Sequence, residues 1–382
     1  MTSVLVVIPS LTAEAGAETS MAAVLPHILA MGIDIHLAVL TKSQSLIPIV
    51  EDAGVSVYDL SGRGFVQQVI ALRSLITDLR PALIHSTLFQ ASVPSQVAAL
   101  ATPVPSLVTW ANTPTDPRTE LAPTWKLRVV HAVEVGFAHL PGVHFHAVTE
   151  GVARTKGRSL RVHRSKVRVA ERGRDRSAFH PPILADRLAA RAALGLADSD
   201  RVLLAVGRQE PQKGYVDLVH AFEEAANVDP SLHLVIAGRP GSATSEVVGA
   251  VKAMRHGDRV HLLGHRSDIG ELMGMVDAVV CASYREGAAG ALIEAMACGT
   301  PILSVELDGM IGVLEDGVNA AVVPRDHLAA GILDVLGDPG GARRRAEVAS
   351  AMFEQRFTIQ RSAEALFNVY RWAGDLDPEA PE

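Results

Sequence analysis

Cysteine is nearly absent: Cys281 and Cys298 are the only two in 382 residues, both in apolar surroundings in the second half. That excludes a disulfide framework and fits reduced, buried thiols in a cytoplasmic protein. No run of about 18 apolar residues occurs, so nothing is expected to span a membrane. The opening MTSVLVVIPS has no basic n-region and too short an apolar run for a signal peptide. Positive net charge is missing as well; at −7 the chain carries no overall footprint for nucleic acid. The loop after the first apolar run, PSLTAEAGAET, contains no G-x-G-x-x-G, which argues against a dinucleotide oxidoreductase.

What is present is apolar sequence in short, regularly spaced pieces. Apolar residues make up 48% and charged residues 20%, a composition suited to large buried sheets, and the length suggests two domains. VLVVIP (Val4–Pro9) is followed by a helical pattern near Thr19–Met31. Then come IDIHLAVL, VSVYDL, a helical stretch near Phe65–Leu79, ALIH, another helix and SLVTW. The rhythm restarts at RVLLAVG (Arg201–Gly207) and runs through LHLVIAG, RVHLLG, DAVVCAS and PILSV. Continuous apolar strands separated by helices predict parallel sheets covered on both faces. Between the two runs, Arg154–Arg176 holds ten Lys/Arg against two acids, and HPP follows at His180–Pro182. The boundary is placed there, giving an α/β protein of two doubly wound Rossmann-like domains, 1–176 and 177–357, facing a cleft. The tail 373–382 reads as disordered. Ligands of such sheets bind beyond the C-terminal strand ends, so the loops there should carry the chemistry.

Two loops stand out. After Gly207 come Arg208, a proline turn, and Lys213-Gly214 opening a helix. Two cations beside a helix N-terminus suit phosphate, although the same residues also suit a solvated turn. In EGAAGALIEAMACG, Gly287, Ala288, Ala289 and Gly290 are too small to hide the backbone N–H groups at a helix start. Glu286 precedes that start and Glu294 lies two turns on. Two turns span roughly 12 Å. A glycosidase carboxylate pair sits about 5–9 Å apart, so these glutamates suit different parts of one extended ligand. A cap and a solvated helix residue are the plainer alternative.

Together the fragments resemble the retaining GT-B glycosyltransferases of family 4 (glycosyl transferases group 1). The resemblance rests on VGRQEPQKG (Val206–Gly214), LVIAGRPG (Leu234–Gly241), LLGHRSDIGELMGMVDAVVCAS (Leu262–Ser283), EGAAGALIEAMACGTPIL (Glu286–Leu303) and VLEDGVNAAVVP (Val313–Pro324). Glu286 and Glu294 have the family's E-x7-E spacing. More loosely, AGAETSM resembles the family's first-domain glycine loop, with Gly16 presenting its amide to the donor. HAVTEGVA resembles the strand end near the hinge, and FEQRFTIQRSAEALFNVY the C-terminal helix that returns to the first domain at about 358–372.

The resemblance implies transfer of a hexosyl-type sugar, with retention, from a UDP- or GDP-linked donor to a sugar, glycolipid or small-molecule hydroxyl. It implies no metal and no cofactor beyond the nucleotide sugar itself. Arg208 and Lys213 would neutralise the leaving diphosphate, Glu286 and the Gly287–Gly290 amides would hold the sugar, Gly207 would allow close approach, and Glu294 would hold the ribose. Two departures stand against the family pattern. The loop after SLVTW reads Trp110-Ala111-Asn112 with no histidine, leaving His85 and Asn112 as first-domain candidates. The hinge reads AERGRD (Ala170–Asp175) where the family has PNGVD. His144 and His146 share a strand face but lack a third ligand for a metal. The basic stretch and the segment Thr124–Leu140 suggest peripheral contact with an acidic membrane on its cytoplasmic face. A nucleotide-sugar epimerase of the same architecture and a binding-only relative remain as alternatives.

Overall fold

The computed structural model describes residues 2–12, 16–42, 45–100, 102–113, 124–182 and 184–376. The described chain forms two compact units. One comprises Met1–Pro114, Ala122–Gly173 and Thr358–Glu382, the other Arg174–Phe357.

The first unit is built on seven parallel strands: β1 (Ser3–Ile8), β2 (Asp34–Val39), β3 (Ser56–Asp59), β4 (Leu83–Thr87), β5 (Ser106–Trp110), β6 (Val143–Ala147) and β7 (Val167–Val169). Their order is β3-β2-β1-β4-β5-β6-β7. The unbroken apolar run of β1 follows from burial on both faces. Val4, Val6 and Ile8 pack with Val24, Leu25 and Ile28 of helix Gly16–Ala30 and with Leu366 and Tyr370 of the last helix, Ile359–Gly374. Leu5 and Val7 face the other way, onto Leu72 and Ile76 of helix Phe65–Leu79.

The second unit has six parallel strands: β8 (Arg201–Val206), β9 (Leu232–Ala237), β10 (Val260–Gly264), β11 (Ala278–Cys281), β12 (Ile302–Val305) and β13 (Ala321–Val323). They run in the order β10-β9-β8-β11-β12-β13. The order reverses between β8 and β11, so the loops leaving these two strands diverge from neighbouring strand ends. That is where an open α/β sheet makes its binding crevice. The segments leading into β8 and β11 are tied together by Arg191, only 1% exposed. Its guanidinium donates to the carbonyls of Met275, Asp198 and Asp200 at 2.8, 3.0 and 2.8 Å and to Asp277 Oδ2 at 2.9 Å.

Two expectations change in detail. The units divide at Gly173/Arg174, not at 176/177, because the amide of Arg174 donates to the Phe357 carbonyl at 2.8 Å and the side chains of Arg174 and Arg176 pair with Glu294 and Glu354. Ala373 and Gly374, assigned to a disordered tail, complete the last helix; residues 377–382 of that tail lie outside the described residues. Among the described residues no helix is long and apolar enough to cross a membrane.

Candidate functional site

β8 ends at Val206, and Gly207 continues with φ +147°, its amide held by the Ala237 carbonyl at 2.9 Å. A single 3-10 turn, Pro211–Lys213, and Gly214 at φ +64° then deliver the chain into helix Tyr215–Ala226. Any side chain at Gly214 would run into the Ala282 carbonyl, so glycine here serves both the left-handed backbone and a close approach to the loop after β11. That neighbouring loop is clamped by Arg325, which donates to the carbonyls of Ala282 and Ser283 at 2.7 Å each. The same guanidinium lies 3.9 Å over the Tyr284 ring, and Arg325 and the Tyr284 hydroxyl share Asp217 Oδ2 at 3.1 and 2.7 Å.

The two loops meet through Lys213 and Glu286. Lys213 Nζ donates to Glu286 Oε1 at 2.6 Å, and the Ser283 hydroxyl donates to the same oxygen at 2.8 Å. The pair is largely enclosed, with side chains 21% and 11% exposed. Lys213 lies along Gly207: a Cβ there would sit 2.9 Å from its Cε, and the Tyr215 hydroxyl donates to the Gly207 carbonyl at 2.9 Å. Burial by itself would lower the lysine pKa, but the charge and hydrogen bond of Glu286, with Tyr215 and Cys281 adding to them, turn the net shift upward, so Lys213 stays charged. The tyrosine hydroxyl is pushed up by burial and stays neutral. Burial, with the Glu286 charge behind it, also raises the Cys281 thiol.

Helix Gly290–Cys298 starts immediately after this loop and has no side-chain cap. The small residues before it are less exposed than the sequence suggested. Gly287 is buried and Ala289 belongs to the core at 4% exposure, while Ala288 and Gly290 are half-buried. Their size therefore serves packing as well as access. Glu294, on the second turn, is held by Arg174 Nε at 2.7 Å, the two side chains 15% and 13% exposed. Cys298 closes this helix, its thiol pushed up to about 12 by burial and then by the Glu294 charge.

The second unit thus brings Lys213, Glu286, Gly207 and the start of helix Gly290–Cys298 together, with Glu294 further along that helix. Arg208 leaves the same loop but extends outward, 59% exposed, with Glu210 at 3.6 Å. Local sequence patterns do not single out Arg174, Ser283, Tyr215 or Arg325, which the fold adds to this site. The signal for Arg174 lies in the resemblance alone: it stands where the family's hinge motif has valine.

In the first unit, Gly16 is the first residue of its helix and exposed, and its carbonyl accepts from the Ser20 hydroxyl at 2.7 Å. Residues 13–15 of the glycine loop lie outside the described residues. Asn112 is exposed. His85 does not line a surface: it is fully buried, and both ring nitrogens are taken. His146 Nε2 faces the Ala170 carbonyl at 2.8 Å and must carry its proton, which leaves Nδ1 to accept from Thr109 at 3.0 Å. Thr109 then accepts from His85 Nε2 at 2.6 Å, and the Tyr370 hydroxyl donates to His85 Nδ1 at 2.7 Å. One directed chain thereby ties the last helix to β4, β5 and β6. A second buried polar group is Glu18, which accepts from the Ser10 hydroxyl at 2.5 Å and from the Thr12 amide and hydroxyl at 2.8 and 3.0 Å.

Residues 186–352 match the family model described as glycosyl transferases group 1. The chain is similar to the D-inositol 3-phosphate glycosyltransferase of Mycobacterium marinum, 30% identical over 57% of this chain and 48% of that protein. The Mycolicibacterium vanbaalenii protein of the same description is 33% identical over 51% and 46%. The chain spans about half the length of the curated relatives it matches. Among solved structures, Anabaena HepE in complex with UDP superposes at TM-score 0.82 with 20% identity, covering 97% of this chain and all of that one. A glycosyltransferase from Rickettsia africae superposes at 0.81 with 15% identity, covering 97% and 98%. Residues 186–352 thus match the glycosyl transferases group 1 model, and the chain has the two-domain GT-B fold of these solved structures.

Proposed function

We propose that the protein is a retaining glycosyltransferase that moves a hexosyl-type sugar from a nucleoside-diphosphate sugar to a hydroxyl acceptor without a metal. The observation that carries this reading is the enclosed Lys213–Glu286–Ser283 cluster at the reversal of the second sheet, beside a helix start with no side-chain cap. Lys213 contributes a fixed cation for the leaving diphosphate. A unit charge about 4 Å from such a cation gains about 4 kcal/mol at an effective dielectric near 20. Arg208, exposed in the same loop, adds a second cation by moving inward. Glu286, oriented by Lys213 and Ser283, accepts from sugar hydroxyls, and Glu294 from the ribose, while the leaving diphosphate takes the acceptor's proton. UDP as the nucleotide is favoured by the solved structures of Anabaena HepE, which contain UDP or UDP-glucose.

Thermal stabilisation by UDP, GDP, ADP and CMP, with Glu294→Ala as control, tests the donor. A ligand at 100 times its dissociation constant adds about 2.7 kcal/mol. A shift with one diphosphate, lost in the control, is the expected result; no shift with any of them, nor with the corresponding nucleotide sugars, refutes the reading. Conversion of a nucleotide sugar to its epimer without acceptor would replace transfer by epimerisation. Peripheral contact with acidic lipid belongs to the same proposal. Trp125 and Val129 of helix Thr124–Ala138 are 64% and 54% exposed, beside exposed Lys126 and Arg128. Flotation with anionic but not neutral liposomes is expected; no flotation with either removes the membrane from the proposal.

A further inference from the structure

Each of the two glutamates is paired with its own cation. Lys213 serves Glu286, and Arg174 serves Glu294. The first pair joins two loops the motif already names. The second does not: Arg174 comes from the hinge segment Ala170–Asp175, where the resemblance leads one to expect valine.

The arrangement around Arg174 is specific. Its amide is fixed by the Phe357 carbonyl at 2.8 Å, so the residue leaves the hinge from a set position. Nε donates to Glu294 Oε1 at 2.7 Å, and Nη2 lies over Gly290, so close that a side chain at that position would overlap it. A side chain at 290 would displace the guanidinium from this position. A cation laid over the first turn of a helix is at the end where the helix dipole disfavours it. Glu294 offsets that. An anion arriving at the same turn would meet the guanidinium, the helix N-terminus and, through the preceding loop, Lys213 together.

We propose that Arg174 is a positioning residue for the donor, holding Glu294 by one carboxylate oxygen and supplying a further positive charge to the diphosphate beside Gly290. This rests on the nucleotide-sugar reading above. The held carboxylate keeps Oε2 for a ribose hydroxyl, so the guanidinium joins the two halves of nucleotide recognition in one side chain. Lysine could keep the charge but could not hold Glu294 and cover Gly290 at once, because it lacks the planar fork.

The test is the ratio of UDP to uridine affinity, measured by calorimetry on the full chain for the parent, Arg174→Val, Arg174→Lys and Glu294→Gln. Arg174→Val should weaken uridine, because Glu294 loses its hold, should weaken UDP further so that the ratio falls at least tenfold, and should flatten the salt dependence of UDP binding. Arg174→Lys should keep the ratio within threefold of the parent. Glu294→Gln should weaken uridine while leaving the ratio equal or higher, which keeps the proposal testable if the valine variant fails to fold. An unchanged ratio in Arg174→Val, or a fall in the ratio for Arg174→Lys as large as that expected for valine, overturns it. A parent that binds UDP with unaltered ratios in every variant refutes only the role of Arg174. A parent that binds neither UDP nor uridine removes the nucleotide-sugar reading and this proposal with it.

Discussion

Removing the ammonium of Lys213 should damage stability and transfer by separable amounts. In Lys213→Ala, Glu286 is left 11% exposed with only the Ser283 hydroxyl donating to it. Stripping one partner from a buried ion pair costs about 3–5 kcal/mol. The remaining hydroxyl and the partial exposure of Lys213 put this site near the lower end, about 2–3 kcal/mol, or a melting-point drop of about 5–10 °C. Loss of a preorganised charge should also slow transfer by about 10²–10³. Lys213→Ala/Glu286→Gln separates the effects: with no stranded carboxylate, most of the stability returns, while transfer stays slow. Turnover of a nucleotide sugar and thermal melts on both variants provide the check. Transfer by Lys213→Ala within threefold of the parent would refute the catalytic reasoning. An unchanged melting point would refute the ion-pair reasoning. The raised pKa also fixes a sign: the pair's contribution is complete below the ordinary lysine pKa and is lost only as pH climbs through the still higher folded value. Stability from this pair should therefore be flat from pH 7 to 9.

The buried histidine chain predicts acid sensitivity of the first unit. Burial drives His146 down to about 4, the bond to the Ala170 carbonyl pulling part of the way back and Arg172 adding to the fall; His85 is held well below the ordinary range by burial, then by His146 and Arg172. The unfolded chain protonates near pH 6.5 and the folded one resists, so stability present above that pH drains away as pH falls toward 4. That is about 3 kcal/mol for His146 alone. Urea melts at pH 7.5, 6 and 5 should show the decline, and His146→Gln should flatten it. Tyr370→Phe leaves His85 Nδ1 a buried acceptor without a donor and should cost about 1–3 kcal/mol, read in the same melts at pH 7.5. Arg191→Ala leaves the buried carbonyls of Met275, Asp198 and Asp200 without its guanidinium, while Asp277 keeps Arg187 and the Val202 amide, and should cost about 1–3 kcal/mol, read in the same melts.

The amino-acid sequence by itself determined the alternation of apolar strands and helices, and with it two doubly wound units, because burial on both faces of a parallel strand demands an unbroken apolar run. It also marked Lys213, Glu286 and Glu294, because a glycine turn, a cation before a helix and E-x7-E are local patterns. Partnerships were decided only in three dimensions. Lys213 and Glu286 are 73 residues apart, Arg174 and Glu294 120, His85 and Tyr370 285. The first pair forms because the strand order brings the ends of β8 and β11 side by side. His85 looked like a site residue at a strand end, yet the returning C-terminal helix covers it, and no local spacing encodes that return. Arg174 looked like decay of a motif, and became meaningful only when the fold laid it over Gly290 and against Glu294. Periodicity records which faces are buried; which charges then face each other depends on how the crossovers stack those faces, and that is a property of the tertiary structure.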